Sequence, residues 1–158
     1  MSNISNNAIE HHKKAAYTNH ADAQLKTGML YREEGNILEA MRYLIAAAHN
    51  SNAQAQGIIT YVSNSAIGGV TNDSFYLLSD FAQKELIQNL IDTKITPALL
   101  GDGGGIRLVN YIPGKKPQIW LNYLGACSGC HLGSTSTADM LLKHFEAVID
   151  KNVVLYLM

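Results

Sequence analysis

Glycine is unevenly spread along this chain, and the spread constrains the fold more than any other feature. Of 13 glycines in 158 residues, eight lie between Gly101 and Gly133, whereas residues 1–56 hold only Gly28 and Gly35. Glycine weakens regular elements from inside and serves where backbone turns sharply or approaches closely. The first third, rich in Ala, Gln and Asn, therefore reads as helical, and the last half as mixed helix and strand. In the first third, apolar residues recur at helical spacing in Leu25, Met29 and Leu30 and again in Ile37, Met41, Leu44 and Ile45. Glu33-Glu34-Gly35-Asn36 separates the two runs with Gly35 as C-cap, so a helical hairpin is expected.

Ala15, Ala16, Ala21, Ala23 and Gln24 recur 32 positions later as Ala47, Ala48, Ala53, Ala55 and Gln56. A period of this size is that of helical solenoid repeats. Gly28, Tyr31, Gly35, Ala40, Leu44 and Ala47 sit at tetratricopeptide spacing, and the Ala-x-Ala-Gln ends resemble Sel1-like repeats. The resemblance covers about one and a half repeats, where stacking needs three or more, and a generic Ala-rich hairpin has the same pattern.

Residues 64–79 lose the helical period, and Gly68-Gly69 with Asn72-Asp73-Ser74 act as breakers, which places the domain boundary there. Downstream, Phe81, Leu86, Leu90, Ile91 and Ile95 mark the apolar stripe of a helix that Pro97 kinks or ends. Gly101 and Gly103-Gly104-Gly105 around Asp102 make a tight turn. Ile106–Ile112 and Gln118–Leu124 alternate as strands joined by the hairpin turn Pro113-Gly114-Lys115-Lys116-Pro117. A loop of small residues, 125–133, then leads to a helix that Ser136 and Asp139 cap. Its buried face is expected at Leu141, Phe145, Val148 and Ile149, and Val153–Met158 forms a final strand. The expected fold class is α+β, with a helical, repeat-like domain at 1–64, a linker at 65–79 and a second domain at 80–158.

Twelve Lys and Arg against 13 Asp and Glu leave a net charge of -1. That balance gives no basic footprint for nucleic acid or an anionic membrane surface, so neither is expected as a partner. Residues 1–14 are polar and carry no signal-like apolar core, and the longest apolar stretches are too short to span a bilayer; a cytoplasmic protein is expected.

The two cysteines, Cys127 and Cys130, cannot make a disulfide framework, and their C-x-x-C spacing serves metal or redox chemistry. Glycines at 125, 129 and 133 let backbone fold around a ligand, and the following helix N-terminus favours thiolate over thiol. Tetrahedral thiolate sites for zinc or iron take four donors, so one chain offers half a site, and a two-fold homodimer would complete it. A structural zinc half-site or a dithiol redox site uses the same spacing. The redox reading is the poorer, because Ser128-Gly129 lacks the proline common in such motifs and the pair does not open a helix in a strand-helix-strand unit.

Residues 82–158 resemble the NifU C-terminal (NFU) domain of iron–sulfur cluster scaffold and carrier proteins. The resemblance rests on Ile95-x-Pro97-x-Leu99-Leu100, then Asp102-Gly103-Gly104, then Ile106, Leu108 and Val109, then Leu124-Gly125-Ala126-Cys127-Ser128-Gly129-Cys130, followed by a helix and an apolar terminal strand. It implies a small α/β domain with a short mixed sheet flanked by helices. It also implies that Cys127 and Cys130 bind a labile iron–sulfur cluster, of 4Fe–4S type, shared across a homodimer and delivered to apo-proteins. On this reading the protein is a non-enzymatic carrier whose N-terminal helices recruit a client or assembly partner. The alternative is a helical-repeat interaction adaptor whose C-x-x-C holds structural zinc or stays vacant.

The chain departs from the family pattern after the second cysteine, where His131-Leu132-Gly133 replaces Pro-Ser-Ser, and Ser136-Thr137 replaces the later Thr-Leu. His131 is read as an alternative ligand or proton donor during ligand exchange, against the plainer role of a solvated neighbour. Asp102 is read as fixing its own turn, His11-His12 as a polar helix edge, Trp120 as packing, and Lys115-Lys116 as a solvated tip. Ser134, Thr135 and Ser136 lie near His131 without a nucleophile elbow, so no hydrolase is indicated.

Overall fold

The computed structural model describes residues 9–10, 13, 20–65, 68–101, 103–125 and 135–158. Its contacts divide the chain into two compact units, Met1–Ile59 and Thr60–Met158.

The first unit contains the expected hairpin. Helix α1 spans Ala21–Glu33 and α2 spans Ile37–His49. Gly35, at φ 81°, ends α1: its N–H donates to Arg32 O and that of Asn36 to Tyr31 O, which satisfies carbonyls the last turn leaves open. Asn36 then caps α2 by accepting the Glu39 N–H at 3.2 Å. The buried face of α1 differs from the expected stripe. Gln24, Thr27 and Gly28 are buried, while Leu25, Met29 and Leu30 are half-buried. The polar pair is satisfied locally, Thr27 donating to Ala23 O at 2.8 Å and Gln24 accepting from Asn50 Nδ2 at 2.8 Å.

Close approach of α2 explains why this face is small. A Cβ on Gly28 would stand 2.7 Å from Leu44 Cγ and 3.2 Å from Ala40 O. Gly28→Ala is therefore expected to destabilise the first unit by about 1–3 kcal/mol through overpacking, despite alanine's better helix propensity. Thermal unfolding measured by circular dichroism checks it, and an unchanged or raised midpoint would contradict the close packing.

The 32-residue internal similarity corresponds to helix starts, because α3, Ala53–Ile58, begins 32 residues after α1 at Ala21. However, α3 ends after 6 residues and the chain enters a strand at Thr60. The described residues thus form one hairpin and the opening of another helix, and the tetratricopeptide or Sel1-like stack is not supported. Ile58, Ile59, Thr60 and Val62 are β-branched, and a second full hairpin would have to continue through them.

The second unit is a mixed α/β structure around a four-stranded sheet of order β1-β4-β3-β2, with β1 Thr60–Ser63, β2 Gly104–Ile112, β3 Gln118–Gly125 and β4 Val154–Leu157. β1 pairs antiparallel with β4, β2 antiparallel with β3, and β3 parallel with β4. The expected boundaries change accordingly. Residues 60–63 form the edge strand of this sheet rather than the tail of the helical domain. The supposed linker contains helix α4, Asp73–Leu77, whose Phe75 is in the core.

Pro97 does not end the preceding helix. Helix α5, Asp80–Leu90, continues through one π-helical turn, Ile91–Ile95, into α6, Thr96–Leu100. Proline has no N–H to donate and its ring crowds the carbonyl four residues back. In the widened turn the Thr96 N–H reaches Ile91 O, and the helix goes on with Ile91, Ile95 and Leu99 all buried. Phe81, expected in the apolar stripe, is 74% exposed. Its place is taken by Gln83, whose Nε2 donates to Phe75 O at 3.1 Å and whose Oε1 accepts the Tyr111 hydroxyl at 2.6 Å.

Helix α7, Thr135–Val148, buries Ala138, Leu141, Leu142 and Phe145 against the sheet. Ser136 therefore lies inside its first turn rather than ahead of it as a cap. Val148 is 46% exposed, because the buried arc is rotated toward Glu146, which is covered by Ser65 and residues 68–72. These residues form a strap over the end of α7. Ser65 N–H donates to Glu146 Oε1 at 3.2 Å, Val70 N–H donates to Glu146 O at 3.0 Å, and Lys151 N–H donates to Val70 O at 2.7 Å. Gly69 passes so close that a Cβ would stand 2.6 Å from Glu146 O. Asp150, fully buried, accepts from Asn72 N–H at 2.8 Å, Tyr76 OH at 2.7 Å and Asn152 N–H at 2.9 Å.

Trp120 projects to the sheet face opposite Ile119 and Leu121. There it meets Tyr156 edge-on at 6.3 Å, and Tyr156 lies 5.0 Å from Tyr61, an aromatic row across three neighbouring strands. Among the described residues no helix is long and apolar enough to cross a membrane.

Candidate functional site

Two glycine motifs more than twenty residues apart in sequence meet at one end of the sheet. α6 ends in a turn where Gly103 N–H donates to Leu100 O at 3.0 Å, and Gly103 takes φ 74°. β2 starts at once, and its first residue Gly104 pairs with Gly125, the last of β3, while Gly105 pairs with Leu124. Gly125 has φ 59°, and a Cβ on it would lie 2.8 Å from Gly103 O. Side chains are excluded on both counts. The sequence pattern at 103–105 and the glycine before the cysteine loop are thus two halves of one backbone crossing.

This crossing fixes one end of the loop and α7 the other. Residues 126–134 join Gly125 to Thr135. Cys127, Cys130 and His131 lie outside the described residues, as do Asp102 and His11-His12. Among the described residues, no group of three or more His, Cys, Asp or Glu side chains could hold a metal ion. The sequence gives this undescribed stretch two soft sulfur donors with two residues between them. Apolar surface stands beside it, with Leu100 64% and Leu124 40% exposed.

At the opposite end of the same sheet, Lys115 and Lys116 are exposed at the β2–β3 hairpin tip, as expected. Beside that tip lie polar groups that sequence reading missed. Burial works to raise the Asp150 pKa, but the hydrogen bonds from Tyr76, Asn152 and Asn72 outweigh it and hold the carboxyl below its usual range. Burial and the Asp150 contact push the Tyr76 hydroxyl up to about 12. Burial, with Asp80 nearby, raises Tyr111 as well. The signal that could have found them is Asn72, which both caps α4 through Phe75 N–H and donates from Nδ2 to Ile149 O at 2.9 Å.

Comparison with known proteins bears on this second unit. Residues 87–153 match the family profile described as NifU-like domain. The matched stretch runs from within α5 to the residue before β4 and contains the glycine crossing and both cysteines. NifU-like protein, mitochondrial, of Saccharomyces cerevisiae is 39% identical over 64 residues, which cover 39% of this chain and 25% of that protein. The chain therefore spans about a quarter of the length of that relative. No solved structure matches the chain. Helices α1 to α3, strand β1 and the strap all lie outside the matched residues.

Proposed function

We propose that this protein is an iron–sulfur cluster scaffold or carrier, in which Cys127 and Cys130 of two subunits hold one labile cluster and release it to apo-proteins. The cluster is cargo. The observation that carries the reading is the Gly104–Gly125 crossing within a NifU-like domain: it joins the two glycine motifs at the base of the loop that bears both thiols.

Two thiolates per subunit suit transfer, since each subunit supplies only half of the four sulfur donors a cluster takes. An incoming thiolate of a recipient then replaces one ligand at a time. Exposed Leu100 and Leu124 beside the loop favour self-association there, because pairing two copies covers apolar surface at the moment the donor set is completed. The role needs no catalytic group. The 4Fe–4S type, a cytoplasmic setting and recruitment of partners by the helical first unit belong to the same proposal.

Anaerobic reconstitution of the full chain with iron and sulfide tests it. The expected result is broad thiolate-to-iron absorption with about two iron and two sulfide per chain, in a species of dimer mass. Both signals should be absent from the Cys127→Ser/Cys130→Ser variant. Absorption that survives in the variant, or purified protein that holds zinc tightly and takes up no acid-labile sulfide, would overturn the proposal.

A further inference from the structure

We propose that the groove along the outer edge of β1 takes an extended polypeptide segment of a partner protein as a fifth strand of the sheet, recognised through its backbone. The groove has a volume of about 380 Å³ and is lined by the five consecutive residues 61–65 and, across from them, by Asp139, Leu142 and Lys143 of α7. Successive residues of a strand point to opposite faces, so a groove lined by an unbroken run of them lies along the strand's edge rather than on one face of the sheet. The other edge of β1 is held by β4.

The register of the sheet decides which backbone groups face this groove. Val154 N–H donates to Pro117 O and Met158 N–H donates to Leu121 O, so the even-numbered residues from 154 to 158 turn their backbone groups to β3. Leu155 and Leu157 turn theirs to β1, where they stand opposite Val62 and Thr60. Tyr61 and Ser63 therefore direct N–H and C=O away from β4, toward the groove. Those of Ser63 have no hydrogen-bond partner among the described residues. An N–H and C=O side by side on one residue match the C=O and N–H of one residue on an incoming strand. An extended polypeptide repeats that pair at every second position, and this complementarity selects the occupant.

The two edges of the sheet differ in how they meet a further strand. β2 carries the charged Arg107 and a bulge between Leu108 and Asn110, both of which discourage strand addition. β1 has no charge, proline or bulge, and Thr60, Tyr61 and Val62 are strand-favouring residues. Its four residues limit the addition to one short segment. The helical wall imposes no sign of charge, since Asp139 and Lys143 supply one of each and neither is ion-paired among the described residues. Backbone pairing thus carries the recognition.

Ser63 stands level with Val154 and Gln118, at the end of β3 opposite Gly125. A strand docked there leaves the cysteine loop uncovered. β1 also precedes the NifU-like match at residue 87, so this surface goes beyond the matched domain.

The test uses the full, cluster-free chain with its cysteines reduced. The probe is a fluorescein-labelled cyclic hairpin peptide, one strand of which alternates threonine and valine and presents an open edge, followed by fluorescence anisotropy. Saturable binding is expected that changes little with added salt and weakens about tenfold or more when the outward amides of that edge are N-methylated. The Ser63 amide proton should exchange several-fold more slowly in the complex. Ser63→Pro removes the outward N–H without touching the β4 ladder, a change that edge strands tolerate, so it should keep the parent melting temperature and lose about tenfold or more in affinity. Should that variant lose its fold, the N-methylated peptide and the exchange rate decide alone. No saturable binding up to millimolar peptide, equal binding of the N-methylated peptide, or unslowed exchange at Ser63 would overturn the proposal. So would a dimer of the peptide-free chain in which the Ser63 amide is already protected, since a second copy would then occupy the edge.

Discussion

Asp150→Ala is expected to destabilise the second unit by about 3 kcal/mol, a loss of roughly 10–20 °C in its melting temperature. The carboxylate is fully buried and accepts from three donors: the Asn72 amide, the Tyr76 hydroxyl and the Asn152 amide. Removing it leaves those donors without their acceptor at a part-buried site, each at a cost of about 1–3 kcal/mol before water relieves part of it. Asn72 would keep only its Nδ2 bond to Ile149 O, which loosens the strap at that point while its contacts to Glu146 and Lys151 remain. Asp150→Asn, which keeps one acceptor oxygen, should recover part of the loss. A change below about 1 kcal/mol in Asp150→Ala, measured by urea unfolding, would show that the strap does not depend on this contact.

The same pair gives the protein a pH signature. Asp150 is held below its ordinary value in the folded state, so its contribution is present above pH 3.8 and is lost as pH falls through the lower folded value. Tyr76 is raised from 10.0 to about 12, so its contribution is intact below pH 10 and is lost between about pH 10 and 12. In Asp150→Ala the acid limb should shrink, and the alkaline limb should lose the part that comes from the Asp150 contact. The part that burial imposes on Tyr76 and Tyr111 should remain.

Gly125→Ala is expected to damage the site as well as the fold. A left-handed backbone costs an L-residue about 1–2 kcal/mol, and here the added Cβ would also stand 2.8 Å from a backbone oxygen, Gly103 O. Backbone has little freedom to retreat, so the end of the β2–β3 ladder must open, for a total of about 2–4 kcal/mol. The base of the cysteine loop is carried by that ladder end. Reconstituted protein should therefore lose its thiolate-to-iron absorption several-fold faster than the parent. Gly105→Ala is the control: its Cβ would meet only Leu124 Cβ at 3.7 Å, an ordinary contact, and it should keep both stability and cluster lifetime. Equal behaviour of the two variants would refute the crossing as the reason for glycine at 125.

What was legible in the sequence follows from range. The α1–α2 turn, the β2–β3 hairpin and the C-x-x-C loop are signalled by residues within a few positions of one another, and the first two appear in the structure where they were expected. Pro97 was legible as a disturbance but not as a π-turn, because the preceding helix survives only through the tertiary burial of Ile91, Ile95 and Leu99. Phe81 and Val148 fit their helical stripes by period and lie outside them in space. In each case a polar residue, Gln83 or Glu146, takes the buried arc with partners that periodicity does not reveal.

The sequence by itself supplied the candidate donors, two cysteines with two residues between them and glycines around them, within a stretch that matches the NifU-like domain profile. Tertiary structure alone decided that the glycines at 103–105 and 125 form one crossing, that residues 60–79 belong to the second unit, and that Leu77 and Phe81 face water. The physical reason is that spacing along the chain encodes local turns and faces, whereas a buried carboxylate such as Asp150 is satisfied by donors 74 and 78 positions away. Only the folded chain brings those donors to it.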